Sequence, residues 1–309
     1  MSTPLALEPV LAELDQSLDA SVARLQDLLR IQSISTDPAY AEQCATAAQS
    51  LVDDLVSLGF DATVRETPGH PMVVAHHDGA HDNAPHVLFY GHYDVQPVDP
   101  LNLWHADPFD PKIAEQDGVK VITGRGSSDD KGQLMTFVEA CRAYKAIHGA
   151  LPCKVTILFE GEEESGSPSL KPFLEANKQE LKADVALVCD TNMWDRETPA
   201  ISAGLRGLVG EEITVKAADR DLHSGYFGGA AANPIHILAK ALADLHDDDG
   251  RVTIAGFYDG VEETPEQIKQ SWATLGRDDE SFLGAIGLKY PSGEKGRTAL
   301  ELTWARPTC

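Results

Sequence analysis

The 309-residue chain carries 49 acidic and 25 basic side chains, a formal net charge of −24. That excess argues against nucleic acid or an anionic membrane surface as partner, and no apolar run is long enough to span a bilayer. The length suffices for one large or two ordinary domains with a real core.

Apolar residues recur at helical spacing from about Leu5 to Leu29, and again through AYAEQCATAAQSLVDDLVSLG, where Gly59 supplies a stop. The N-terminus lacks the basic head and unbroken apolar core of a signal peptide. Cys44, Cys141, Cys153, Cys189 and Cys309 form no C-x-x-C pair and read as reduced thiols of a cytoplasmic protein. Short extended segments follow the second helix: DATVRE, MVVAHH and HVLFYGHYDV. A loop rich in Pro and Asp, QPVDPLNLWHADPFDP, leads to KVITGRGSSDDKG. A helix from about Gln133 to Ile147 precedes the strand CKVTILFEG, and a helix through LKPFLEANKQ precedes ADVALVCD. Strands alternating with helices, with apolar runs on both faces, predict an α/β sheet buried on each side.

The character changes after SAGLRG. LVGEEITVKA alternates like a half-exposed strand, the Gly-rich DLHSGYFGGAAANP leads to a helix, IHILAKALADLH, and RVTIAGF reads as a further strand. A second domain is expected from about Gly207, with helix and loop from Asp259 onward.

The segment FEGEEESGS, Phe159 to Ser167, places four glutamates within five positions, directly after the apolar VTILF. Like charges that close repel, and carboxylates at the mouth of a buried strand lose hydration. A solvated loop would offset both costs, and so would a bound cation. Other strand candidates also end in potential ligands. VLFY runs into Gly91-His92-Tyr93-Asp94, VALVC into Asp190, and GRGSSDDKG supplies Asp129 and Asp130. In open α/β sheets ligands bind outside the carboxyl ends of the strands, so four segments deliver imidazole and carboxylates to one edge. Such ligands suit zinc, and manganese or cobalt by the same chemistry. Asp94 is placed to accept the other ring N–H of His92. Of two adjacent glutamates, one can coordinate metal while its neighbour takes a proton from water.

Each piece also has a plainer reading. Glu160 and Glu162 read as solvated residues, Ser128 or Asp129 as a cap for the helix after Lys131, and Asp190 as the end of a strand. HDDDG at His246 reads as a solvated turn.

The motifs GHYDVQPVD, WHADPFDPKI, GRGSSDDKGQ, EGEEESGS, VCDTNMW and DLHSGYFGG occur in the order seen in the carnosinase-like dipeptidases. From about residue 20 onward the chain resembles these members of the aminoacylase/carboxypeptidase family of co-catalytic zinc metallopeptidases. The resemblance implies a zinc-exopeptidase-like mixed sheet flanked by helices, its N-terminal part over residues 1–206, with a partial inserted α+β lid and dimerisation domain over 207–309. It implies two zinc ions per complete subunit: His92 and Asp190 bind one, Asp129 bridges both, and Glu164 binds the other. Glu163 corresponds to the general base and Asp94 to the orienter of His92, and the Asp129–Asp130 peptide bond is the candidate for a cis conformation. His223 resembles a histidine that reaches the partner subunit's active site in a homodimer and stabilises the oxyanion there.

In the family the chain returns from the lid to complete the catalytic sheet and supplies a last histidine to the second zinc. This sequence stops at LELTWARPTC, and no residue matches that histidine. The expectation is a C-terminally truncated chain, inactive or strongly impaired alone, of an enzyme that hydrolyses dipeptides or short peptides. An N-acyl-amino-acid deacylase using the same site, or a non-catalytic fragment, are the alternatives.

Overall fold

Seven strands and nine α-helices are found among the described residues, 5–80, 83–116, 118–276 and 278–309 of a computed structural model. The chain divides into two units, Met1–Ser202 and Ala203–Cys309. In the first unit the chain runs α1 (Glu8–Leu29), α2 (Ala41–Ser57), β1 (Asp61–Arg65), β2 (Met72–His77), β3 (His86–His92), β4 (Lys112–Gln116) and β5 (Val119–Thr123). It continues through α3 (Lys131–His148), β6 (Lys154–Glu160), α4 (Leu170–Ala176) and β7 (Val185–Val188). Five strands form one mixed sheet in the order β1-β2-β6-β3-β7, with β6, β3 and β7 mutually parallel and β1 and β2 antiparallel to their neighbours.

Strict alternation along the strands assigns each side chain to a face. Val73, Ala75, Phe89, Ile157 and Phe159 pack beneath α1, α2 and α3, meeting Leu28, Leu51, Leu55, Leu134 and Val138. The residues between them, Met72, Val74 and Leu158, turn to the other face and pack with Leu170 and Phe173 of α4 and with Leu181. The segments MVV and VTILF therefore lack the polar alternation of a half-exposed strand, because both faces of these strands are covered. Gly59, at φ 83°, ends α2, and the Phe60 N–H turns back to the Leu55 carbonyl.

The start of α3 is tied to the end of α1. The Lys131 ammonium, fully buried, donates to the carbonyls of Leu28 (3.1 Å) and Ile31 (2.7 Å), where the exposed carbonyls of a helix end favour a cation. Asp130 is the N-cap of α3 and makes no side-chain cap bond, so neither Ser128 nor Asp129 caps this helix. Farther along, Glu139 accepts from Arg24 of α1 at 2.7 and 2.6 Å and from Ser21 at 2.9 Å, while Arg142 bridges Glu139 to Asp54 of α2. Three helices are thus fastened through Glu139 and Arg142, the first reaching α1 and the second α2.

β4 and β5 form a separate antiparallel ribbon. β4 was not expected from the sequence, because KIAEQ has only Ile113 and Ala114 to offer a buried face and all five residues are exposed.

The second unit departs further from expectation. It holds α5 (Ser224–Phe227), α6 (Pro234–Ala243), α7 (Glu266–Ala273), α8 (Asp279–Gly284) and α9 (Ala299–Trp304). The stretch LVGEEITVKA is not a strand, and RVTIAGF contributes only an isolated bridge between Val252 and His246. Alternation alone does not make a strand: the backbone needs a neighbouring strand to satisfy its N–H and C=O groups, and none pairs with residues 208–217 among the described residues. The expected helix is present, with Asn233 accepting the Ile235 N–H and Pro234 at its first turn. α9 begins with a reciprocal capping box between Thr298 and Glu301.

The Glu139 junction has a calculable pH signature. Burial pushes its pKa up, but hydrogen bonds from Arg24 and Ser21 and the charges of Arg142 and Arg24 outweigh burial and hold it below the ordinary 4.5. Its contribution is therefore complete above that value and lost as pH falls through the depressed folded pKa. Glu139→Gln should lower stability by about 2 kcal/mol at neutral pH, measured by urea unfolding, with a smaller loss when the two chains are compared at pH 3.

Candidate metal centre

Parallel pairing brings the carboxyl ends of β6, β3 and β7 to one edge of the sheet, with β3 in the middle. His92, the last residue of β3, therefore sits between the glutamate turn that follows β6 and Asp190 just after β7. The fourth segment is the loop preceding α3, which brings Asp129.

His92 is fully buried, and its Nε2 lies 3.1 Å from Asp129 Oδ1, 3.6 Å from Asp190 Oδ2 and 4.0 Å from Glu163 Oε2. One ligand atom from each of His92, Asp129 and Asp190 falls within 4.8 Å of the others. Asp129 and Asp190 are exposed while the imidazole is buried, so the group opens to solvent on its carboxylate side. Glu164 lies outside that group of three. Gln96 donates to its Oε2 at 2.7 Å and to its carbonyl at 3.3 Å.

Asp94 organises the centre from beneath. Fully buried, it places Oδ1 3.3 Å from His92 Nδ1 and accepts the N–H groups of Glu163 (3.2 Å) and Glu164 (3.0 Å). One carboxylate thus orients the imidazole and fixes the backbone of both glutamates. Asp130, also fully buried, accepts the His92 backbone N–H at 3.0 Å, while its Oδ1 has no hydrogen-bond partner among the described residues. Gly91 allows that approach, since a Cβ there would stand 2.8 Å from Asp130 Oδ2. The Asp129–Asp130 peptide bond is cis, as anticipated.

The electrostatics are those of a crowded anionic cup around one imidazole. Burial, with further pressure from neighbouring carboxylates, raises the pKa values of Glu163, Glu164 and Asp190, and burial pushes Asp130 up to about 7. For His92 burial opposes the charge, but Asp94, Asp130 and Asp190 prevail and raise it to about 10. A cation would relieve this repulsion, and the donors, one imidazole nitrogen with carboxylate oxygens, fit a divalent metal.

Two glutamates behave differently from the sequence reading. Glu160 and Glu162 are buried, 0% and 4% exposed, where solvated residues were expected. Glu160 accepts from the Tyr90 hydroxyl and, at 3.0 Å, from Ser167. Glu162 accepts backbone N–H groups of His70 (3.2 Å) and Ser169 (3.1 Å). The strand register would have pointed to Glu160, which stands opposite His92. Nothing in the sequence marked Gln96. His223 belongs to the second unit, where it is exposed, caps α5 and accepts the Gly225 N–H on Nδ1 at 2.9 Å.

Residues 88–302 match the sequence model of peptidase family M20/M25/M40. The chain belongs to this family. Among its relatives, a Cys-Gly metallodipeptidase of Candida albicans, DUG1, is 30% identical over 98% of this chain and 65% of its own length. Human beta-Ala-His dipeptidase is 31% identical over 90% of this chain and 57% of its own. The solved structure of the dipeptidase Dug1p from Saccharomyces cerevisiae superimposes with a TM-score of 0.74 at 27% identity, covering 97% of this chain and 65% of that one. The chain therefore spans under two thirds of the length of these relatives. The mixed α/β architecture of the family, with helices flanking a mixed sheet, is the fold found here.

Removing the Asp94 carboxylate leaves the Glu163 and Glu164 N–H groups without their acceptor, while His92 Nδ1 keeps the Asp94 backbone carbonyl at 3.1 Å. Asp94→Ala should cost about 3 kcal/mol in urea unfolding, and it should speed amide exchange at Glu163 and Glu164 relative to the strands.

Proposed function

We propose that the first unit carries a zinc-dependent amide-hydrolysing centre that cleaves dipeptides or short peptides. The observation that carries this reading is the convergence of His92, Asp129 and Asp190 within 4.8 Å, with Glu163 alongside at 4.0 Å from the imidazole. His92 and Asp190 would hold one ion, Asp129 would bridge to a second, and Glu164 would join the second. In that second set Asp129 and Glu164 supply only carboxylates.

When bound, the divalent ions would acidify water and polarise the scissile carbonyl. Glu163 then has the role of proton acceptor. Its burial-raised pKa brings it nearer the operating pH of a general base. It takes a proton from the attacking water and returns it to the departing amine, so the proton is conserved through the step. Asp94 keeps His92 in one tautomer by accepting at Nδ1, which directs Nε2 toward the carboxylates.

His223 is assigned the oxyanion-stabilising role, acting on the neighbouring subunit of a homodimer formed through the second unit. Two features support this. Its Nδ1 accepts the Gly225 N–H, so the neutral ring carries its proton on Nε2 as a donor. The nearby α6 also leaves Ile235, Ile237 and Leu242 exposed.

Dipeptide cleavage by the purified chain should be slow, zinc-dependent and chelator-sensitive, and still faster than its cleavage of N-acyl-amino acids. Glu163→Gln should lower turnover at least about a hundredfold while zinc affinity stays within a few-fold. Faster cleavage of acyl-amino acids would move the reading to a deacylase. Bound zinc without any cleavage would favour a non-catalytic chain.

A further inference from the structure

The second glutamate of the cluster, Glu162, takes no part in the proposed chemistry, yet it is the most thoroughly engaged of the four. Its Oε1 accepts the His70 N–H from the loop between β1 and β2, and its Oε2 accepts the Ser169 N–H at the entrance to α4. Its carbonyl accepts the N–H groups of Ser165 (3.1 Å) and Ser167 (2.7 Å) and the Ser165 hydroxyl at 3.2 Å. The turn bearing Glu163 and Glu164 is therefore closed by the Glu162 backbone and docked by its side chain. Asp94 grips the same turn from β3 through the next two N–H groups.

The opposing wall is shaped to this carboxylate. A Cβ on Gly69 would stand 1.5 Å from Glu162 Oε1, so the backbone of that loop packs directly on the side chain. At 4% exposure the carboxylate has little access to water, and each oxygen is used by a backbone donor. Two backbone N–H groups from different segments meet one group whose two oxygens can only accept. An amide in its place would turn an NH2 group toward one of those donors, and a methyl would leave both without an acceptor.

We propose that Glu162 is a positioning residue: its buried carboxylate docks the turn between the residue 69–70 loop and α4, and thereby sets where Glu163 and Glu164 stand relative to His92. This rests on the metal-centre reading above and adds to it a residue whose side chain is turned away from the ligands. Groups that orient metal ligands from behind typically contribute ten- to a hundredfold in metal affinity.

The test is zinc affinity, measured at 25 °C by competition with a chromophoric chelator on the purified chain and its Glu162→Gln, Glu162→Ala and Gly69→Ala variants. Glu139→Gln serves as the control, because it loosens an equally buried carboxylate at the α1–α3 contact. Glu162→Ala should weaken zinc binding at least about tenfold, Glu162→Gln by less, and Gly69→Ala in the same direction although it keeps every carboxylate. The control should bind zinc like the parent despite its lower unfolding midpoint. If Glu162→Ala fails to fold, the other two variants decide. Variants within twofold of the parent, or a control that loses as much, overturn the positioning role and leave the metal centre standing. A parent chain that binds no zinc removes both.

Discussion

One buried carboxylate, Asp94, joins the parts of the site that come from different strands. It lies two residues beyond the end of β3 and receives the imidazole of its own segment together with two backbone N–H groups from the turn after β6. The orientation of His92 and the backbone of Glu163 and Glu164 are therefore tied to one residue. Burying a carboxylate is costly unless its lone pairs are occupied, and here backbone amides and an imidazole occupy them. The rest of the fold can be read as the frame that holds this group in place.

That frame depends on parallel pairing. β6, β3 and β7 end at the same edge, so residues far apart in sequence reach one point without long loops. Covering both faces of β2 and β6 makes their register unambiguous, since a one-residue slip would exchange the residues facing α2 and α3 for those facing α4. Stability and chemistry meet at the strand ends: the same pairing that buries Phe159 carries Glu160 opposite His92. The four-glutamate cluster divides accordingly. Glu160 and Glu162 point inward to hydroxyl and backbone donors, and Glu163 and Glu164 remain partly open. A run that would repel itself in a loop is split between two environments.

Much of this was legible beforehand, for identifiable reasons. The helices with complete apolar stripes, α1, α2 and α3, and the runs MVV and VTILF have strong periodic signals. The grouping of His92, Asp129 and Asp190 followed from His92 and Asp190 falling at strand ends and Asp129 in the loop that opens α3, and the cis Asp129–Asp130 bond from the resemblance of GRGSSDDKGQ. Sequence reasoning failed where the outcome depends on a distant partner. LVGEEITVKA alternates, but a strand exists only when another backbone pairs with it. Glu162 is polar and follows a glycine, which suggests solvent; its burial depends on Gly69, some ninety residues earlier. Gln96 contacts Glu164 through a loop conformation that has no local signature.

The most direct test of the account is zinc X-ray absorption on the chain loaded with one equivalent of the metal. Imidazole nitrogen together with oxygen donors, all at about 2.0–2.2 Å, and loss of the imidazole scattering in His92→Ala are the expected results. Sulfur at about 2.3 Å, which would place the metal on cysteine, or imidazole scattering that survives His92→Ala, would contradict a centre built at the end of β3.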